Sequence, residues 1–540
     1  MEEQQPLRSA KKMAKALTEC QSISVRIDDL GEDLIQNILN RLPAKSFASA
    51  ACVSRSWNSI CNRVLSSPKL SSAVSFNPLL ENAVNEVVDK VLLEPIRPHF
   101  ALVSVGPFFL LEETLQLIEG KLGSGIPIII NVSEGIIGRD VHTDQFVEVQ
   151  WEVTVEDDTA VLPDQHVQRG IILTVGFLPG LKAHVIPLFQ HKGPQGLLVD
   201  KFVTDIREAA STVSDSASPA GIILFAGRKT NIKPVLQTIE YAFPEDTFIV
   251  GDADSQFLYG RNIGENITMS PGSTCAAVAL VLTRDMNKPL GIGETKFHVM
   301  LSTGVSPIGP TYKANSVKHN KSSTWLTASR ETARQHLDGE SILEEIYDQL
   351  GDRILYPAFY VGVTKRRKCS VGTEKVRRMQ FHEFHEVLGG DEEYLFVNYP
   401  GIKTGDPFRF YISDSKAALS SSNEVSDKLR HLKLDCERRN NHASGGFGYS
   451  DKVKVFGGII FSCCGRGDPF FGQPRIDSST FLNNFPGVTF GGAYCAGEIA
   501  RGNLGLYEPD DEEHSFIHCN QHVFGAVYLV MSYFPPPRER

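Results

Sequence analysis

Residues 27–70 read IDDLGEDLIQNILNRLPAKSFASAACVSRSWNSICNRVLSSPKL, and this stretch decides how the chain begins to fold. Its first half carries apolar residues at the spacing of one wide helix face. These residues are Leu30, Leu34, Ile38 and Leu42. Asp28 or Asp29 caps the predicted helix at its start, and Pro43 ends it because the residue before a proline is pushed out of the α region.

Two more helices are predicted within the same stretch. One covers residues 44–51, and the next carries Val53, Trp57 and Ile60 at spacings of four and three. Three helices in about 45 residues bury little core by themselves, so some of these large apolar groups are expected to face a partner. The alternative interpretation is an ordinary helical hairpin around a buried tryptophan.

The stretch resembles an F-box. Leu42-Pro43 and Val53-Ser54-Arg55-Ser56-Trp57 match that family's Leu-Pro and Val-Ser-Arg-x-Trp segments, whereas Gly31 stands where the family usually has proline. The resemblance implies docking on the Skp adaptor, and through it on the cullin and RING subunits of an SCF-type ubiquitin ligase. The residues implied in adaptor binding are Leu30, Leu34, Ile38, Leu42, Pro43, Val53 and Trp57.

Length and composition indicate a multidomain globular protein. The 540 residues leave room for three or four domains, and 41% hydrophobic with 22% charged residues is an ordinary globular balance. The net charge of −10 argues against nucleic acid as a partner. The sequence contains no run of 18 or more consecutive apolar residues, so it predicts no transmembrane helix. The basic run 365–368 reads as a solvated strand end or, alternatively, as a nuclear signal.

The ten cysteines are scattered, with no C-x-x-C pair. Residues 1–22 lack the apolar core of a signal peptide and read as a flexible tail. We therefore expect reduced thiols and a cytoplasmic and/or nuclear protein.

Beyond residue 98 the pattern changes to strands alternating with helices, the pattern of a layered α/β domain with a mixed sheet. Three strand–helix–strand units recur at irregular spacing, which predicts loose internal duplication in two lobes and not a solenoid. Their segments are 100–105, 110–122 and 126–132; 221–226, 232–242 and 247–250; 458–462, 479–484 and 487–494. Residues 432–436 look like a single leucine-rich repeat, but no array surrounds them.

The resulting division has five parts. They are a tail at 1–22, an all-α three-helix F-box at 24–72, a linker or helix at 73–97, an N-terminal lobe at 98–290 and a C-terminal lobe at 291–535.

The run Phe461-Ser462-Cys463-Cys464-Gly465-Arg466-Gly467 and the later Gly497-Glu498-Ile499 look like the C-terminal part of a FIST domain. The units within 100–285 are similar to its more diffuse N-terminal part. This resemblance implies a recognition module for small ligands and not a catalyst.

The Gly-Arg-Gly loop is the candidate ligand or substrate pocket. It leaves the carboxyl end of a predicted strand, where open α/β sheets place their ligands, and Arg466 offers a planar fork for a carboxylate. The rival interpretation is an internal Arg466–Glu498 pair that joins two strands. The predicted pocket residues are Cys463, Gly465, Arg466, Gly467 and Glu498.

Several enzyme-like patterns remain as weaker alternatives. His382-Glu383 with His385-Glu386 has metal-binding character, and His514, His518 and His522 would share one face of a helix. The glycine loop 445–448 lacks the partners of a dinucleotide site. Cys463 has no base that the sequence identifies. We therefore predict no metal and no cofactor.

These patterns together predict an F-box substrate receptor that catalyses nothing itself. Residues 27–70 would tether it to the ligase, and the FIST lobes would bind a protein substrate or a small carboxylate-bearing ligand. The alternatives are a small-ligand sensor without a dedicated degradation substrate, and an enzyme that uses Cys463.

Overall fold

The computed structural model describes residues 31–151, 168–191, 197–214, 216–228, 230–260, 273–289, 291–320, 322–330, 336–351, 357–442, 452–502 and 518–536. Several predictions therefore lie outside the described residues. They concern the 1–22 tail, Asp28, Asp29, Leu30, the glycine loop 445–448 and His514.

Eleven helices lie in the described residues. In chain order they are α1 Glu32–Leu39, α2 Ala44–Ala51, α3 Arg55–Val64, α4 Leu80–Val91, α5 Leu111–Leu122, α6 Val199–Ser211, α7 Lys233–Ala242, α8 Gly339–Leu350, α9 Ser415–His442, α10 Asp468–Phe471 and α11 Ile476–Leu482. None of them is long and apolar enough to cross a membrane.

The strands of the described residues form four sheets. In chain order they are β1 Lys69–Ser75, β2 Phe100–Val105, β3 Ile128–Val132, β4 Gly135–Arg139, β5 Phe146–Gln150, β6 Ile171–Phe177, β7 Leu181–His191, β8 Gly221–Ala226, β9 Phe248–Asp252, β10 Gln256–Tyr259, β11 Ser273–Arg284, β12 Glu294–Ser302, β13 Val305–His319, β14 Ser323–Arg330, β15 His336–Leu337, β16 Phe359–Cys369, β17 Arg377–Gly390, β18 Leu395–Asn398, β19 Pro407–Ser413, β20 Lys454–Cys463, β21 Thr489–Cys495, β22 Glu498–Gly502, β23 His518–Gln521 and β24 Ala526–Phe534.

Helices α1 to α3 form the predicted three-helix unit, with two local differences. Helix α1 ends at Leu39, and Pro43 is instead the N-cap residue of α2. Val53 precedes α3, because the Ser54 side chain caps that helix by accepting a hydrogen bond from the Trp57 backbone N–H at 3.1 Å. The small core of this unit consists of Ile35, Leu39, Phe47, Ala50, Ile60 and Cys61.

The expected linker at 73–97 is part of the layered domain. Strand β1 pairs antiparallel with β6 along its whole length, from Lys69 opposite Phe177 to Ser75 opposite Ile171. Helix α4 buries one face against the same sheet, with Val84 and Val87 among the buried residues. The apolar face of α4 requires this partner, so the layered domain begins at β1 and not at residue 98.

The three strand–helix–strand units are confirmed, and each forms one parallel strand pair. The pairs are β2–β3, β8–β9 and β20–β21, with α5, α7 and α10–α11 in the connections. Each pair sits in a different sheet, among antiparallel neighbours. The first sheet has the order β1-β6-β2-β3-β10, the second β23-β22-β9-β8-β11-β7 and the third β12-β24-β20-β21-β4-β5.

Strands cross the predicted lobe boundary between residues 290 and 291 in both directions. Strands β4 and β5 complete the third sheet, whose other strands come from the C-terminal half, and β22 and β23 complete the second sheet. The inner faces of the three sheets meet in one central core, to which Leu102, Phe225 and Phe461 contribute. The two halves of the chain are therefore interleaved and not simply consecutive.

The fourth sheet closes on itself. Its order is β13-β19-β16-β17-β18-β14-β15, and β13 also pairs with β14, so six strands form a ring. Helix α8 contributes Ile342 and Ile346 to the apolar core of this closed sheet. Residues 432–436, the segment that looked like a leucine-rich repeat, lie inside α9.

Candidate functional site

The three-helix unit presents large apolar side chains to solvent. Leu34 is 56% exposed, Ile38 50% and Val53 65%, although their neighbours Ile35 and Leu39 are buried. Pro43 is also exposed, whereas Leu42 and Trp57 are partly buried. Adaptor binding by these residues stays a prediction, since the structure contains a single chain.

The carboxyl ends of the three parallel pairs meet at one place. The backbone N–H of Glu134 donates to the Tyr494 carbonyl at 2.9 Å, that of Cys464 to the Cys495 carbonyl at 2.8 Å, and that of Ala253 to the Gly497 carbonyl at 2.7 Å. Loops that follow β3, β9, β20 and β21 are thereby joined. The Gly-Arg-Gly loop belongs to this junction, as its position after β20 predicts.

Arg466 points into the protein and not toward a ligand. Its side chain is fully buried and forms a two-pronged ion pair with Asp477, with Nε–Oδ2 at 2.8 Å and Nη2–Oδ1 at 2.7 Å. Nη1 donates to the Phe524 carbonyl at 2.9 Å, and Nη2 lies 3.1 Å from Oγ of Ser302 and 3.2 Å from Oγ of Ser422. The guanidinium donors are thus satisfied internally, and the predicted carboxylate fork is not available.

The rival Arg466–Glu498 pair is wrong as well, because Asp477 takes the guanidinium. No local pattern marks Asp477 as that partner, since it lies on α11, eleven residues further along the chain and beyond α10. The glycines serve packing: a Cβ at Gly465 would lie 2.7 Å from the Phe524 ring, and Gly467 has a φ of 131°. They make room for a ring and a turn.

Glu498 and Cys463 are buried at the same junction. Glu498 is 0% exposed and lies opposite Asp252 in the β22–β9 pair. Burial raises the pKa of its carboxyl well above the usual range. The neighbouring Cys464 and burial likewise raise the pKa of the Cys463 thiol. An uncharged, buried thiol is a poor nucleophile, which weakens the enzyme alternative.

A cavity of about 190 Å³ opens between α7, the closed sheet and the β22–β23 region. It adjoins the same junction, because Asp254 and Ala496 lie within two residues of the ends of β9 and β21. Sequence reasoning singled out His382, Glu383, His385 and Glu386, and it named Cys519 within the histidine run. It missed the other lining residues, which are distant in the chain. The lining residues are Lys233, Leu236, Gln237, Asp254, Tyr360, His382, Glu383, Phe384, His385, Glu386, Asn398, Tyr399, Ala496, Cys519, Asn520, Gln521 and Val523.

Glu383 is the best-connected charged group of the cavity. It accepts from Arg367 Nη2 at 2.8 Å and from Gln237 Nε2 at 3.3 Å, and Lys233 Nζ lies 3.7 Å from its Oε2. Although burial alone would raise the pKa of Glu383, these cations hold it below the usual range. Lys233 also donates to the Phe384 carbonyl at 3.3 Å, so its ammonium is engaged within the protein.

His385 has one committed nitrogen and one without a partner. Its Nδ1 lies 3.1 Å from the Asn398 carbonyl, which requires a proton on Nδ1. Burial, with the nearby Lys233, lowers the pKa of His385 to about 4, so the ring is neutral at neutral pH. Nε2 is then an acceptor, and it has no hydrogen-bond partner among the described residues. It lies 3.8 Å from Oε2 of Glu383.

The metal hypotheses receive no support from this geometry. Side chains of successive strand residues point to opposite faces, so His382 and Glu386 leave β17 on the side opposite Glu383 and His385. His518 lies on strand β23 and not on the helix that the four-residue spacing requires. In the described part of the chain, no three His, Cys, Asp or Glu residues are grouped to hold a metal ion.

Comparisons with known proteins agree with this architecture. The F-box domain model matches residues 27–68, and the FIST N domain model matches residues 99–321. The chain is 42% identical over 517 residues to the F-box/LRR-repeat protein At5g63520 of Arabidopsis thaliana, a match that covers 94% of each chain. The F-box match implies binding to the Skp adaptor and through it to the cullin. The chain therefore belongs to the F-box proteins, as a member in which the F-box precedes a FIST region.

Proposed function

We propose that this protein is a substrate-recognition subunit of an SCF-type ubiquitin ligase and forms or breaks no bond itself. The observation that supports this function best is the exposed apolar surface formed by Leu34, Ile38 and Val53 on an F-box. Unpartnered apolar groups of this size mark a protein-binding surface. The FIST region then supplies the surface that recognises the substrate.

The F-box is attached closely to the region that would hold the substrate. The Ala44 backbone N–H donates to the Leu92 carbonyl at 2.8 Å, and the Tyr533 hydroxyl donates to the Ser66 carbonyl at 3.4 Å. Leu65 packs against the cores of both parts. Such an attachment holds a bound substrate in one orientation to the ligase, and proximity raises its effective concentration near the conjugating enzyme.

Adaptor binding is tested with the double variant Leu34→Arg/Ile38→Arg in the full-length chain. Burying the exposed half of both side chains against the adaptor is worth about 1.5–3 kcal/mol, and two arginines would lose hydration there, so co-purification with the Skp adaptor should be lost. Both residues are half exposed, so the melting temperature should stay unchanged. Leu388→Arg is the matched control, since Leu388 is 54% exposed and lies on β17. Undiminished adaptor binding by the double variant would contradict the proposed function.

A second candidate function is a small-ligand sensor that uses the adaptor without a dedicated degradation substrate. The cavity between α7 and the closed sheet favours it, because its lining joins charged and aromatic groups in one space of about 190 Å³. Affinity purification with the proteasome blocked separates the two functions. A receptor yields ubiquitylated partners that disappear when the F-box is deleted, whereas a sensor yields a ligand-dependent shift in melting temperature without them.

A further inference from the structure

The basic run 365–368 lies at the end of strand β16, and its four cations alternate between the two faces of the closed sheet. Lys365 and Arg367 lie on the face that carries the apolar core of this sheet. Both have carboxylate partners there: Lys365 donates to Asp406, and Arg367 Nη2 donates to Glu383 at 2.8 Å. The other two cations of the run lie on the opposite face.

That opposite face is exposed and basic. It carries Arg366 and Lys368, and the register of the β16–β17 pair places Arg378 directly opposite Lys368. Arg409 lies on the same face of the neighbouring strand β19, because it pairs with Gly362 of β16. All four cations are exposed. We call the surface formed by Arg366, Lys368, Arg378 and Arg409 the basic face.

The strands around the basic face supply no counter-charge to it. Strands β13, β16 and β19 contain no aspartate or glutamate. On this side of β17 the acid is Glu386, which lies eight residues from Arg378, or about 26 Å along the strand. Within the described residues, none of the four cations forms a side-chain ion pair or hydrogen bond.

This arrangement destabilises the free protein. Like charges that lie directly opposite each other in an antiparallel pair repel, and Lys368 and Arg378 are such a pair. Composition does not explain the cluster either, because the chain as a whole carries a net charge of −10. A partner that brings negative charge would remove the repulsion, so charge complementarity indicates an acidic partner for the basic face.

The geometry favours a polypeptide as that partner. Arg366 and Lys368 are two residues apart on one strand, which is about 7 Å. Alternate side chains of an extended peptide have the same spacing, so its carboxylates can meet successive cations of the basic face. The guanidinium groups can each hold a carboxylate with two hydrogen bonds. The negative net charge of the chain disfavours nucleic acid in this position.

We propose that the basic face binds an acidic segment of the ligase substrate, an extended stretch with carboxylates at alternate positions. The identity of the partner as a substrate rests on the proposed function, whereas binding of an acidic peptide does not. Because the contact is ionic and exposed to solvent, salt weakens it, and it directs the encounter and orientation of the substrate more than it adds affinity.

Binding is tested with the full-length protein and fluorescein-labelled probes, followed by fluorescence anisotropy. The probes are a twelve-residue peptide of alternating glutamate and serine, its counterpart with glutamine in place of glutamate, and a single-stranded DNA of twelve thymidines. We expect saturable binding of the glutamate peptide and at least about tenfold weaker binding of the glutamine peptide. Raising sodium chloride from about 0.05 M to about 0.5 M should weaken the glutamate peptide about tenfold.

Two variants locate the binding surface. Lys368→Gln/Arg378→Gln should weaken the glutamate peptide about tenfold, and its matched control Lys428→Gln/Arg438→Gln, which removes the same charge from exposed positions on α9, should not. Lys368→Glu places a carboxylate directly opposite Arg378. This variant should therefore melt at a higher temperature than the unaltered protein and bind the glutamate peptide more weakly.

Ubiquitylation by the reconstituted ligase connects the basic face to the proposed function. A reporter protein that carries the glutamate–serine segment should be ubiquitylated. Lys368→Gln/Arg378→Gln should lose this activity and still co-purify with the Skp adaptor. Peptide binding without adaptor binding would refute the proposed function, whereas adaptor binding without peptide binding would refute the basic face as the substrate-binding surface.

Three other results overturn the proposal. The first is equal binding of the two peptides, or glutamate-peptide binding that Lys368→Gln/Arg378→Gln leaves unchanged. The second is tighter binding of the DNA than of the glutamate peptide, which would make the basic face a nucleic-acid surface. The third concerns the chain's own acidic run at 508–513: if replacing its acids by the corresponding amides strengthens peptide binding more than about tenfold, that run is the occupant.

Discussion

Removing one partner of the Arg466–Asp477 pair should destabilise the protein strongly. Both side chains are at most 1% exposed, and the guanidinium donates to Asp477 twice. In Asp477→Ala the arginine stays buried and charged without its counterion. In Arg466→Ala the aspartate is left in the same way, and the Phe524 carbonyl and the hydroxyls of Ser302 and Ser422 lose a donor.

The magnitude follows from burial. Breaking a buried, hydrogen-bonded ion pair by deleting one partner costs about 3–5 kcal/mol, whereas replacing both partners by apolar residues of similar size is often neutral. We therefore expect each alanine variant to lose about 3–5 kcal/mol and Arg466→Met/Asp477→Leu to lose much less. Arg466→Lys should fall between them, because it keeps the charge but not the two-pronged geometry.

These differences in stability are measured by urea unfolding of the full-length variants. Unfolding is followed by intrinsic fluorescence and by limited proteolysis of the C-terminal half. Arg430→Ala is a suitable control, since its ion pair with Asp427 is exposed on α9 and contributes little. Unchanged stability of both Arg466→Ala and Asp477→Ala would refute a structural role of the pair. A loss in the double variant as large as the sum of the single losses would refute the coupling between the two residues.

Two further predictions concern folding. A chain that starts at Ser67 should melt cooperatively. A chain that starts at Glu94 should not, because it lacks strand β1 of the first sheet and helix α4, which packs on that sheet. Equal melting of the two chains would refute this assignment. Burial raises the pKa of Asp252 from 3.8 to about 7, so the folded state favours its protonated form. Its contribution to stability is therefore complete below pH 3.8 and is lost as the pH rises through about 7. Asp252→Asn should flatten the decline of the urea midpoint between about pH 4 and about pH 7, and an unaltered decline would contradict it.

The sequence predicted the elements of the core well, for a local reason. Strands β2 and β8 have the bounds that their apolar runs predict, and α2 covers the predicted residues. Strands buried on both faces read as continuous apolar runs, and a surface helix reads as a stripe, so the signal lies within each element. The parallel pairing inside each strand–helix–strand unit follows from the length of the connection.

The candidate sites were predictable only in part. The Gly-Arg-Gly loop was correctly placed at the carboxyl end of a strand, β20, but the direction of the Arg466 side chain was not predicted. Asp477 satisfies that guanidinium from α11, and a sequence offers many carboxylates without indicating which one is close. The cavity depends on α7, the closed sheet and the region around β23, which meet only in the folded chain.

The sequence by itself determined the F-box, its exposed apolar stripe and three strand–helix–strand units, because periodicity, caps and prolines act over a few residues. The tertiary structure alone decided that β1 and α4 belong to the first sheet and that strands cross between the halves. It also decided that Arg466 is internal and that His385 is buried beside Glu383. These features depend on which distant groups become neighbours, and burial then sets their charge, their hydrogen bonds and their availability to a ligand.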